Sequence, residues 1–298
     1  MNLPDATGPV SPSTPSTPSA AEPRPGGTLR LLSLNIQFGL QGSRYTQYLT
    51  HAWRHVLPTR KARANLDRIA ALAAPYDLVA IQEADAGSLR TSRLNQVAHL
   101  AELAGFPHWH AAVTRDLRPF AQHCLGCLSR WPLRDLRPFA QHCLGCLSRW
   151  PLQFVKYHAL PGWLPGRGAL EVEIQPPGYE RLRLVIAHLA LGRRARARQL
   201  GFIAKLVRGA TDTIVLGDLN CGPPELAAHA GFSDTGLRGV HDGAHTFPSW
   251  RPSRALDHIL VTPTVEVIGA TVLEERLSDH LPVATEIRLR LERGAGSP

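Results

Sequence analysis

The sequence predicts an α/β domain. Short apolar runs of strand length recur along the chain, helix-period segments separate the first of them, and 44% of the 298 residues are hydrophobic, enough to bury sheets on both faces. Residues 1–27 are mostly Pro, Ser, Thr and Gly with almost nothing to bury, so a disordered tail is expected there, followed by one domain over 28–292 and a disordered end over 293–298.

Within that domain the first strand is LRLLSL at 29–34. A helix follows at 62–74 (ARANLDRIAALAA), then a strand at 77–82 (DLVAIQ) and a second helix at 93–105. In this second helix Leu94, Val97, Ala98, Ala101 and Ala104 recur at three- and four-residue spacing, which predicts one apolar face, and Gly105 is placed to cap it. Further strands are expected at 169–174, 181–189, 212–217, 258–263, 265–273 and 282–291. Several alternate apolar and polar residues, which suits mixed or antiparallel sheets. GRRARARQ at 192–199 opens a helix with cations, which the helix dipole disfavours; this hints at an anionic partner, but a solvated basic face is the favoured explanation.

Residues 115–133 and 134–152 are identical copies of RDLRPFAQHCLGCLSRWPL. Two perfect copies indicate a duplication inserted into one fold rather than a repeat architecture, which needs about three or more diverged units. The duplication also produces C-x2-C-x15-C-x2-C from Cys124, Cys127, Cys143 and Cys146, the spacing of a structural zinc site. One CLGC copied once generates that spacing whatever the thiols do, so buried apolar cysteines are the expectation and a zinc-ribbon module the minor alternative.

The formal charge is +9, and all but three of the 33 basic residues are arginine, whose guanidinium fork suits phosphate. No apolar run is long enough to span a bilayer, and the N-terminal residues have neither a basic start nor an apolar stretch. With an odd count of five cysteines, a disulfide framework is not expected, and a reducing cytoplasm is the expected location.

Polar residues collect where apolar strands meet loops. Asn35, Glu83, His188, Asp218 and Asn220 end strands; Asp257 and the pair Asp279 and His280 precede them. If neighbouring strands run in opposite directions, these groups share one rim. Carboxylates, amide oxygens and imidazoles are the ligands and proton carriers that metal-assisted phosphoryl hydrolysis needs.

LSLNIQ (32–37), IQE (81–83), AHL (187–189), GDLN (217–220), LDHILV (256–261) and SDHLPV (278–283) occur in this order. Together they resemble the ordered motifs of the endonuclease/exonuclease/phosphatase superfamily over about residues 29–291, and HTFPSWRP (245–252) and PGRGAL (165–170) look like an uncharacterised bacterial branch of it. The resemblance implies a four-layer sandwich of two packed mixed β-sheets flanked by helices. It implies Mg²⁺ or Mn²⁺ held by Glu83 with Asn35 and Asp279, and Asp218 and Asn220 positioning water and phosphate, around a second metal in one version. It implies His280 as general base or phosphate contact, oriented by Asp257, and His188 as the acid for the leaving oxygen. His188 resembles the deoxyribonuclease- and sphingomyelinase-like branches more than the apurinic-site endonucleases. Arg167 and Arg251 are candidate phosphate contacts. The implied function is hydrolysis of a phosphodiester by in-line water attack, on nucleic acid (as endonuclease or exonuclease), a phospholipid head group or a small phosphoester; the alternative is a non-catalytic phosphate- or nucleic-acid-binding protein on the same fold.

Overall fold

The computed structural model describes residues 24, 26–39, 60–87, 91–116, 141–162 and 166–292. In chain order the first sheet collects β1 (Thr28–Asn35), β2 (Leu78–Asp85), β3 (His108–Asp116), β4 (Gln141–Ser148), β11 (Glu266–Val272) and β12 (Val283–Arg288). The second collects β5 (Phe154–Ala159), β6 (Gly168–Ile174), β7 (Leu182–His188), β8 (Thr213–Asp218), β9 (Arg238–Gly239) and β10 (Asp257–Val261). Among the described residues five α-helices accompany them: α1 (Arg60–Ala73), α2 (Gln96–Ala104), α3 (Arg193–Val207), α4 (Pro223–Ala228) and α5 (Ala230–Ser233).

The sheets are built alike. Their orders are β11-β12-β1-β2-β4-β3 and β5-β6-β7-β8-β10-β9, and each has a single parallel pair, β1 with β2 and β7 with β8, flanked by antiparallel neighbours. A parallel pair needs a crossover, and α1 and α3 lie on those two connections. Side chains alternate across each strand, so each sheet buries both faces. Leu29, Leu31, Leu78 and Ala80 of the first sheet meet Leu170, Leu184, Leu216 and Ile259 of the second in a central core. Leu32, Val79 and Ile81 pack outward against Leu66, Ile69, Val97 and Leu100 of α1 and α2, and Val185 and Val215 against Leu200 and Ile203 of α3. The result is the expected order of helices, sheet, sheet, helices.

The expected helices and strands are present with ends moved by a few residues. α2 is capped by Asn95, whose side chain accepts from the Val97 and Ala98 N–H groups, and closed by Gly105 at φ 69°. Its buried face differs from the expected one: Leu100 faces the core, whereas Ala98 is half-buried. The basic helix start also differs from a solvated face at one position. Arg196 is buried and makes paired bonds of 2.8 Å to both Glu225 oxygens, and it also donates to the Ala190 and Leu191 carbonyls.

Of the duplicated segment, the second copy supplies core strand β4. Its Arg149 explains how that strand is tied to the helices: the guanidinium donates to Ala74 O and Gly105 O at 2.7 Å, just past the ends of α1 and α2, and lies 4.5 Å from the Phe106 ring. Cys143 faces the helices and Cys146 the opposite, central core. Three residues apart in a strand, the two thiols cannot chelate one ion; Cys124 and Cys127 lie outside the described residues. No helix among the described residues is long and apolar enough to cross a membrane.

Candidate active site

Strand directions bring the expected polar residues to one rim. In the second sheet, Gly168, His188, Asp218 and Asp257 are lateral neighbours at the same level of β6, β7, β8 and β10. In the first, Asn35 ends β1 beside Gln82 of β2, and Asp279 and His280 lie in the loop that enters β12 antiparallel to β1. Asp257 is the first residue of its strand rather than a residue before it, and Glu83 lies within β2 rather than at its end.

Glu83 reaches the rim through an irregularity. Between Ile81 and Ala84, β2 advances three residues while β4 advances two, from Gly145 to Cys143. This is a β-bulge, and Glu83 adopts φ 55° within it. The bulge re-aims its carboxylate so that Oε1 lies 3.5 Å from His188 Nε2, across the gap between the sheets. Gly217 shows a second local demand. At φ 132°, an added Cβ would lie 2.1 Å from the Ala187 carbonyl oxygen, so GDLN needs glycine where β8 closes on β7.

Asp218 is the hub. Its Oδ2 lies 3.4 Å from His188 Nε2 and 3.9 Å from His280 Nε2, and accepts from Asn35 Nδ2 at 3.3 Å; Oδ1 accepts the Asn220 N–H at 3.0 Å. Burial pushes its carboxyl toward the neutral form, but the His280 and His188 imidazoles and the Asn220 N–H outweigh that and hold its pKa well below the usual carboxylate range. Burial also opposes charge on His280, yet the Asp257 and Asp218 carboxylates prevail and raise its pKa well above the ordinary value. His280 Nδ1 and Asp257 Oδ2 are 2.7 Å apart. The tilted Phe247 ring packs on the imidazole with centroids 4.9 Å apart.

The remaining expected residues divide. Arg167 Nη1 contacts His188 Nε2, so this arginine is at the centre. Asn220, at φ 54°, donates from Nδ2 to the Leu189 carbonyl, and Asn35 Oδ1 accepts the Gln37 N–H at 3.1 Å. Asp279 is buried in the same loop as His280, and its carbonyl accepts the Ser249 N–H. Arg251 is exposed and makes no side-chain hydrogen bond or ion pair with another described residue.

Two further residues belong here. Ser278 Oγ donates to the Asn35 carbonyl at 2.5 Å and accepts the His280 N–H at 3.0 Å, tying the SDHLPV loop to β1. Thr246 Oγ1 donates to Asp257 Oδ2 at 2.5 Å. Both stand inside stretches whose pattern draws attention, SDHLPV and HTFPSWRP, but neither is a ligand or proton carrier by residue type.

Among the described residues, ligand atoms of Asp218, Asp257 and His280 all lie within 4.8 Å of one another, close enough to share an ion. Beside this trio, Glu83 Oε1 and Asp218 Oδ2 both approach His188 Nε2, and Asn35 turns Nδ2 toward Asp218; the carboxylate oxygens suit a hard divalent cation.

The profile of the Endonuclease/Exonuclease/phosphatase family matches residues 32–280. No curated protein matches the chain. Among solved structures, an endonuclease/exonuclease/phosphatase from Beutenbergia cavernae is similar with a TM-score of 0.68 at 21% identity, over 88% of this chain and 72% of that one. A mannosyl-6-phosphatase from Bacteroides thetaiotaomicron has a TM-score of 0.59 at 17% identity, covering 87% of this chain and 99% of its own. The D. rerio TDP2 complex with single-strand DNA product also has a TM-score of 0.59 at 17% identity, covering 88% and 99%.

Proposed function

Because the chain belongs to the Endonuclease/Exonuclease/phosphatase family, we propose that it is a phosphodiester hydrolase dependent on Mg²⁺ or Mn²⁺. The observation that carries this reading is the meeting of Glu83 and Asp218, from different sheets, on His188 Nε2, with the His280–Asp257 pair on the other side of Asp218. A site assembled from strand ends of two sheets cannot arise from one strand's packing needs.

Glu83, Asn35 and Asp218 would hold the cation, with Asn220 and Asp279 beside them; when bound, it neutralises phosphoryl oxygens and orients the substrate. Asp218, kept ionised, accepts a hydrogen bond from the attacking water and aligns it. His280, kept cationic by two carboxylates, donates from Nε2 to a phosphoryl oxygen while Asp257 holds Nδ1. His188, on the strand that flanks Asp218 opposite Asp257, would be the acid that donates a proton to the leaving oxygen. Arg167 adds positive charge beside it. The TDP2 solved with a single-strand DNA product and the mannosyl-6-phosphatase share this fold, so nucleic acid, a phospholipid head group and a small phosphoester are the substrates to compare.

The test offers bis(p-nitrophenyl) phosphate, single- and double-stranded oligonucleotides and phospholipid vesicles with Mg²⁺, Mn²⁺ or EDTA. EDTA-sensitive cleavage of at least one, reduced about 100-fold or more in Glu83→Gln and His280→Ala, is the expected result. No cleavage of any substrate with either metal would sink the proposal and favour a binding protein on this fold.

A further inference from the structure

Asp257 Oδ2 receives two hydrogen bonds, from Thr246 Oγ1 at 2.5 Å and His280 Nδ1 at 2.7 Å, while Asp257 Oδ1 is buried with no hydrogen-bond partner among the described residues. The carboxylate is therefore held entirely through one oxygen. Thr246 is fully buried, and its hydroxyl owns one proton and two lone pairs. Two backbone N–H groups point at that oxygen, Leu256 at 3.2 Å and Asp257 at 3.3 Å, which fills its accepting side. The one proton is left a single direction, toward Asp257 Oδ2.

The backbone of Thr246 is fixed from two sides. Its N–H donates to the Arg254 carbonyl and its own carbonyl accepts the Leu281 N–H, both at 2.8 Å. Ser249 extends the same clamp, donating from Oγ to Ser278 O at 2.6 Å and from its N–H to Asp279 O at 2.8 Å. The segment carrying Thr246 thus grips the loop that carries His280, and Phe247 covers the imidazole face.

We infer that Thr246 is a positioning residue: its hydroxyl fixes the rotation of the Asp257 carboxylate, and through it the aim of the His280 imidazole. The catalytic consequence rests on the phosphoesterase reading; the positioning itself does not. With Oδ2 held by Thr246, His280 aims its Nδ1 proton at Asp257 and its Nε2 proton toward Asp218 and the substrate. Without the hydroxyl, the carboxylate turns to share its load between Oδ1 and Oδ2, and the imidazole loses its fixed direction. A threonine kept only to accept the two N–H groups would not need its proton.

Three variants separate these roles. Thr246→Val removes the hydroxyl at nearly constant volume, Thr246→Ala removes it while leaving room for a water that satisfies the two N–H groups, and Thr246→Ser restores it. The direct readout is the NMR signal of the hydrogen-bonded His280 Nδ1 proton, identified by its absence in His280→Gln. The wild type and the serine variant are expected to share a low-field signal that the valine and alanine variants lose or shift upfield, with the backbone spectrum otherwise preserved. If the valine variant does not fold, the alanine variant carries the comparison. On bis(p-nitrophenyl) phosphate with Mn²⁺, kcat is expected to fall about 10- to 100-fold in Thr246→Ala with KM changed less than about twofold, and to recover in Thr246→Ser. An unchanged His280 signal in the alanine variant, or a serine variant as impaired as alanine, overturns the inference. A wild type that cleaves nothing while its His280 signal still follows the hydroxyl defeats the phosphoesterase reading and leaves the positioning intact.

Discussion

Glu83 combines an unfavourable backbone conformation with the carboxylate that the proposed chemistry uses. A non-glycine residue at φ 55° costs of the order of 1–3 kcal/mol, and its half-buried carboxylate crowds the buried Asp218 around one His188 nitrogen. Glu83→Gly removes both penalties. It is expected to raise thermal stability in the absence of metal, by about 1 kcal/mol in chemical denaturation, while cutting phosphodiester hydrolysis by 100-fold or more. A destabilised glycine variant would show that the bulge is held by the side chain rather than in spite of it. Residue type made Glu83, Asp218 and His280 visible in the sequence, since strand-end acids and imidazoles are conspicuous. Thr246 and Ser278 were not, because a hydroxyl becomes informative only when its partners are known, and those partners lie 11 residues away in Asp257 and 243 residues away in Asn35.

At the scale of elements, β4 decides the fate of the cysteines. Burial pushes the Cys146 thiol up to about 12, and Cys143 is buried on the opposite face. Cys221, also buried, is pushed up to about 12 by burial first and by Glu225 next. All three are therefore expected to resist iodoacetamide at pH 8 in the folded protein and to react in denaturant, as mass spectrometry of the labelled peptides would show; labelling of Cys146 at the rate of a free thiol would contradict its placement. Deleting residues 115–133 joins Thr114 to a second copy that begins with the same Arg-Asp pair, so β3 and β4 keep their sequences. Circular dichroism melting of the deletion variant is expected to give a midpoint equal to or above that of the parent, and a large fall would assign a structural role to the first copy. Periodicity disclosed the strands and helices, because each sheet is buried on both faces or alternates cleanly. It could not disclose which copy forms β4, because identical letters have identical propensities; the second copy's pairing with β2 and β3 and the attachment of its Arg149 to the ends of α1 and α2 are tertiary facts.

The whole molecule is two similar sheets whose shared rim is acidic inside a basic chain. Asn35, Glu83 and His280 come from one sheet, His188, Asp218 and Asp257 from the other, so a cation seated among them is a clamp between layers. Ligand linkage gives about 2.7 kcal/mol of added stability at 100 times the dissociation constant, roughly 5–10 °C for a domain of this size. Saturating Mg²⁺ or Mn²⁺ is expected to raise the melting temperature of the wild type by that order and that of Glu83→Ala by far less, read by differential scanning calorimetry. An equal rise in both proteins would place the ion elsewhere. The layered architecture was legible in outline from alternating apolar runs and ordered motifs. The pairing that makes the rim was not: whether β8 meets β10 antiparallel with Asp218 opposite Asp257 depends on contacts that local sequence does not encode.

The bulge in β2 has an evolutionary corollary. Val79 and Ile81 face the helices, Gln82 faces the other sheet, and Ala84 faces the helices again, so Glu83 is the supernumerary link that the ladder does not need. Excising its codon would let Gln82 pair across from Leu144 and Ala84 remain opposite Cys143, giving an unbroken antiparallel ladder that is expected to fold as well and to lose phosphodiester hydrolysis. A single residue is thus the difference between a plain ladder and the rim that the proposed chemistry needs, and relatives lacking it should be recognisable by a β2 one residue shorter.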